Sequence, residues 1–114
     1  MVLSEDAYSL RIFIGESDMH EGLPLYQWLI NEARRQGLAG ATVLRGFRGF
    51  GAHNRIHNPS LLHLSRDSTV ILEIVDKQER IDGFMVIVDK VLHEGLVTTE
   101  KVNTRPYRAN KSNA

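Results

Sequence analysis

The sequence predicts an α+β fold: a sandwich of ferredoxin-like order, β-α-β-β-α-β, with a four-stranded antiparallel sheet and two helices on one face. Three observations predict it. Alternating apolar residues mark strands near both ends and in the middle of the chain. Two apolar runs at helical spacing separate them, and Gly or Pro stands at most of the boundaries. The length of 114 residues suits one domain, placed at residues 8–103, with 1–7 and 104–114 expected as flexible termini.

The elements follow in order. Leu10, Ile12 and Ile14 alternate with Arg11 and Phe13, a strand from Tyr8 to Gly15. Glu16, Ser17, Asp18, His20, Glu21 and Gly22 form a polar connection. Pro24 suits the first position of a helix whose Leu25, Trp28, Leu29 and Ala33 recur at helical spacing up to Gly37, a C′ residue. Ala39 to Arg48 returns to strand character, with Ala41, Val43 and Phe47 opposite Thr42 and Leu44. Thr69 to Val75 is apolar except for Glu73, which predicts a central strand buried on both faces, with Arg11 or Arg45 as the partner of Glu73. Asp76 and Glu79 have capping-box spacing, so Asp76 is the expected N-cap of a helix carrying Ile81, Phe84, Met85, Val88 and Leu92 on one stripe. That helix stops before Gly95, and Leu96 to Val102 is the last strand. Two helices cover one sheet face only. The other would show Phe13, Ile71 and Val75, and an uncovered apolar face predicts a homo-oligomer.

Composition removes several classes of function. The chain has no cysteine, which excludes disulfides, thiolate catalysis and zinc–thiolate sites and is compatible with a reducing cytoplasm. The opening MVLSEDAYSL carries two acids and does not read as a secretory signal, and no apolar run approaches the ~20 residues of a membrane span. A soluble, cytoplasmic protein without direct membrane insertion is expected.

The chemistry concentrates in Leu44 to His57, LRGFRGFGAHNRIH. The whole chain balances 14 basic against 14 acidic residues, yet from Ala33 to Arg66 there is no Asp or Glu, six arginines and three histidines. Glycine lets backbone N–H groups converge on an anion, and arginine forks bind carboxylate or phosphate. The candidate ligand-binding residues are therefore Arg45, Gly46, Arg48, Gly49, Gly51, His53 and Arg55, and the ligand a small anion. The connection over about residues 51–68 is far longer than a hairpin needs, which marks it as functional or disordered. Arg48-Gly49-Phe50-Gly51 also copies the start of an RNA-recognition signature, but Ala52 and His53 stand where stacking aromatics belong, so nucleic acid is the lesser alternative. His53 and His57 lack a third ligand, so no metal site is assigned. No Ser-His-Asp set or paired carboxylates assemble, and no enzyme is predicted. A ligand-free structural or assembly module stays open beside anion binding.

The segments RIFIGESD, GLAGATVLRGFRGFGAH, VILEIVDKQERI and GLVTTEKV, in this order from about Leu10 to Val102, resemble a family of bacterial and archaeal PII-like proteins of unassigned function. That family is similar in fold to the nitrogen-regulatory PII signalling proteins. The resemblance implies a cytoplasmic homotrimeric sensor with adenine nucleotides, no certain cofactor among them, held in clefts between subunits. It implies that the loop after the second strand contacts the regulated partner. Association of the family with fluoride-channel genes points to a membrane transport protein as that partner. Two departures qualify the ligand. The PII loop base Lys-Gly-Phe-Gly-Arg-Gln becomes Arg48-Gly49-Phe50-Gly51-Ala52-His53, with Arg55 as the possible compensation, and the PII phosphate loop shrinks to His93-Glu94-Gly95. The tyrosine that some PII proteins carry in the loop is absent, since none lies between Tyr26 and Tyr107. A mononucleotide or another small anion is thus implied more readily than ATP.

Overall fold

Why the strands pair as they do is visible in their burial. In a computed structural model, which describes residues 6–46 and 68–107, Leu10, Ile12 and Ile14 of β1 (Asp6–Gly15) are completely buried, while Arg11 between them is exposed. A period of two therefore separates a core face from an open face. β1 begins two residues before the expected Tyr8. It lies between β5 (Thr69–Asp76) and β6 (Leu96–Asn103), antiparallel to both, and β4 (Ala41–Gly46) closes the sheet on the far side of β5. The order β4-β5-β1-β6 with α1 (Leu25–Arg35) and α2 (Gln78–Val91) is the expected α+β architecture.

Both helices pack on one face. Leu25, Leu29 and Ala33 from α1 and Ile81, Phe84 and Val88 from α2 join Leu10, Ile12, Ile14, Val70, Leu72 and Ile74 in one core. β5 is interior, as expected, but it alternates between buried and half-buried residues and is not buried on both faces. Its apolar run does two jobs: Val70, Leu72 and Ile74 fill the core, while Ile71 and Val75 face away from the helices.

The polar connection after β1 is more ordered than its composition suggests. Met19–His20 (β2) and Leu23–Pro24 (β3) form a two-stranded hairpin around Glu21 and Gly22, whose φ values of 50° and 82° are those of a tight turn with both central residues left-handed. Pro24 occupies the N-cap position of α1 and not the first helical position. The rings of His20 and Trp28 meet in a T-shaped contact, 4.6 Å between centroids, which fixes the hairpin against α1. Gly37 follows the end of α1 with φ 77°, as expected of a C′ residue.

Asp76 is not the N-cap of α2. Lys77 holds that position with no side-chain cap, and Asp76 ends β5 fully buried. Its Oδ2 accepts the Ala39 N–H at 2.7 Å and its Oδ1 accepts the Lys77 N–H at 2.7 Å. Nearby, Arg80 Nη1 donates to the Gly37 carbonyl at 2.6 Å. These bonds tie the α1–β4 connection to the start of α2.

Gly95 has φ 129°, and a Cβ there would lie 2.5 Å from the Phe13 carbonyl oxygen. Gly95→Ala should lose about 1–3 kcal/mol of stability, read as a lower urea midpoint at unchanged slope. Glu32, largely buried on α1, is held below the usual glutamate range by its bonds from Arg35, aided by Gln36 and opposed by burial. A lowered folded pKa gives stability that is present above the unfolded value and lost as pH falls through the folded one. Glu32→Gln should therefore be less stable than wild type at pH 7 by about 0.5–1 kcal/mol, with the difference closing as the pH falls through the lowered pKa of Glu32. Urea melts across pH check both the size and the sign.

Candidate functional site

Of the candidate ligand-binding residues, the described residues include Arg45 and Gly46; Arg48, Gly49, Gly51, His53 and Arg55 lie outside them. Arg45 and Gly46 are the last two residues of β4, an edge strand whose residues Ala41 to Arg45 are all exposed. The register explains where Arg45 sits. It opposes Val70, which opposes Ile14, so Arg45 belongs to the helix side of the sheet at the end where β1 stops. Gly46 opposes Thr69 on the other side, and a Cβ there would meet Thr69 at an ordinary 3.5 Å, so packing among the described residues does not require glycine.

The GESD turn closes this end of the sheet. Asp18 Oδ2 accepts the Gly15 N–H at 3.0 Å, the Asp18 N–H donates to the Gly15 carbonyl at 3.1 Å, and the Leu25 N–H donates to the Asp18 carbonyl at 2.7 Å. Between Gly15 and Asp18, the Glu16 N–H donates to the Ser68 carbonyl at 2.9 Å, holding the residue just before β5. The Arg45 guanidinium reaches over the intervening β5 position and bonds the Glu16 carboxylate through Nη2. The residues on either side of the long connection thus meet at Glu16.

Sequence reasoning left Glu73 to Arg11 or Arg45. Arg11 takes it, with Nε donating to Glu73 Oε2 at 2.8 Å. Arg45 is on the opposite face of the sheet, since Thr42 is the β4 residue opposite Glu73. In the sequence Glu16 is one residue of a polar connection, and nothing beside it marks Arg45 as its partner. Alternation along each strand fixes which residues share a face within it, but the β4–β5 register that sets Arg45 against Val70 and Thr42 against Glu73 is what leaves Arg45 needing another acid.

The open face carries the second feature. Leu44, Ile71, Phe13 and Leu96 are successive partners across β4, β5, β1 and β6, an apolar row spanning the whole sheet. Leu44 and Leu96 at its two ends are each 44% exposed. The next row, Thr42, Glu73, Arg11 and Thr98, is polar and contains the Arg11–Glu73 pair. Beyond it, the Ser9 Oγ is buried and has no hydrogen-bond partner among the described residues. Among the described residues no group of three or more His, Cys, Asp or Glu could hold a metal ion, and no helix is long and apolar enough to cross a membrane.

Comparison with known proteins gives this geometry a context. Residues 7–104 match the model of the DUF190 family, described as "Uncharacterized ACR". A UPF0166 protein of Aquifex aeolicus is 40% identical over 93 residues, covering 82% of this chain and 88% of the relative. A UPF0166 protein of Methanocaldococcus jannaschii is 32% identical over 89 residues, covering 77% and 82%. Among solved structures, CPII from Thiomonas intermedia bound to ADP, AMP and acetate superposes with a TM-score of 0.61 at 14% identity, covering 89% of this chain and 90% of that one. The apo form of the same protein, a nitrogen regulatory PII-like protein, gives 0.60 at 15% identity, covering 89% and 95%. At such identities the likeness concerns the fold.

Proposed function

We propose that this chain, which belongs to the DUF190 family and has a PII-like fold, is a non-enzymatic regulatory protein that assembles as a homotrimer and binds a small anion, an adenine nucleotide in the first instance, at clefts between subunits. In this reading Arg45, Arg48 and Arg55 supply charge-assisted bonds, Gly46, Gly49 and Gly51 supply backbone N–H groups, and His53 adjusts the local charge near neutral pH. Occupancy of the site changes how the connection after β4 meets a regulated partner, for which a membrane transport protein is the candidate. The protein acts in the cytoplasm.

The observation that carries the reading is the meeting of fold and composition. The acid-free, arginine- and glycine-rich run starts at the exposed end of β4, in a fold whose solved neighbour CPII was captured with ADP and AMP. The apolar row Leu44–Ile71–Phe13–Leu96 supports assembly through the open face, since a patch of that kind is covered in most soluble proteins. One observation favours the module without ligand: Arg45 is already paired with Glu16.

Calorimetric titration with AMP, ADP, ATP and a cyclic nucleotide separates the two. Anion binding predicts saturable heat with at least one of them and about tenfold weaker binding for Arg48→Ala, the effect of removing one charge-assisted bond. Silence from all of them across salt and pH would leave the module. Assembly is tested by sedimentation: the wild type should run as a trimer and Phe13→Glu, which buries a charge at the open face, as a folded monomer.

A further inference from the structure

We propose that Glu16 is an intramolecular counter-ion that occupies the Arg45 guanidinium in the empty protein and is displaced by an incoming anion, so that Glu16 sets how tightly the site holds its ligand. This rests on the anion-binding reading and adds a residue to it.

Among the described residues, Glu16 is the carboxylate that meets Arg45. The neighbouring acids are committed elsewhere, Asp18 to the Gly15 N–H and Glu73 to Arg11 on the opposite face. The pair uses Nη2 of Arg45, whereas a phosphate oxygen pair engages two N–H groups of the guanidinium fork at once. Both side chains remain accessible, Glu16 at 35% and Arg45 at 63%, so the pair is screened and easily exchanged. Nor does the sheet end depend on it. The backbone N–H of Glu16 holds the Ser68 carbonyl whatever its side chain does. The carboxylate can therefore let go of Arg45 while the turn stays in place.

Two effects then oppose a ligand phosphate: the lost pair and the like charge of the released carboxylate. An exposed pair of this kind weakens a competitor by up to about fivefold, and removing the nearby negative charge adds to that. Glu16→Gln should thus bind ADP about three- to tenfold more tightly than wild type at low salt, with the gain shrinking as salt rises. In the background of Arg45→Gln, the change Glu16→Gln should give a markedly smaller gain. Glu16→Ala serves as a second variant, since either change keeps the backbone bond to Ser68, and circular dichroism confirms the fold.

The outcomes are separable by titration with ADP. Tighter binding by Glu16→Gln that depends on Arg45, or binding by that variant where the wild type is silent, supports the counter-ion role. Measurable wild-type binding that Glu16→Gln and Glu16→Ala leave unchanged or weaken overturns it while the anion site stands. No binding of ADP by the wild type or by either variant overturns the inference together with the reading beneath it.

Discussion

Two helices cannot cover both sides of a four-stranded sheet, and the other features of this molecule follow from that mismatch. On the helix side, Leu10, Ile12, Ile14, Val70, Leu72 and Ile74 meet Leu29, Phe84 and Val88 in one buried core. On the other, the same strands present Phe13 and Ile71 between Leu44 and Leu96, with no element of the described chain to cover them. Because side chains alternate strictly along a strand, a sequence that fills one face generously must decide what the second face is for. Here the decision is mixed: an apolar row beside a polar row crossed by Arg11 and Glu73.

The two ends of the sheet are closed by different means. At one end, the buried Asp76 and the exposed Arg80 bond main-chain groups of the α1–β4 connection. A fully desolvated carboxylate with two backbone donors is costly to disturb, since its loss leaves main-chain donors unpaired. At the other end, Asp18 turns the chain back on Gly15, and Glu16 holds Ser68 through its backbone and Arg45 through its side chain. This second closure has a fixed component and an exchangeable one. Main-chain bonds define the position, while an exposed ion pair, worth about 0.2–1 kcal/mol, sets the local charge. A fixed frame around a loosely held cation is what a site needs if ligands are to replace an internal partner without unfolding anything.

The arrangement of elements was legible because it rests on local patterns. Alternation in Leu10–Ile14 and spacing in Ile81–Val88 each report a face that must be buried, and Gly37 reports a chain reversal that only a left-handed residue permits easily. The hairpin at Met19 to Pro24 escaped because Glu21, an unusual residue at positive φ, carries none of the Asn-Gly signal of such turns. Asp76 looked like a helix cap because capping spacing is shared by any acid ahead of a helix. Its partner, the Ala39 N–H, is 37 residues away in the chain and invisible to a local pattern.

From composition and periodicity alone one obtains the class of fold, the identity of most core residues and the concentration of cationic and glycine residues after the second long strand. These are properties of neighbouring positions in the chain, each felt within a few residues. Which acid Arg45 meets, which face Glu73 occupies and how four apolar residues line up across the sheet depended on register between strands. Register is set by packing the whole core at once, so it takes shape only when the chain has folded.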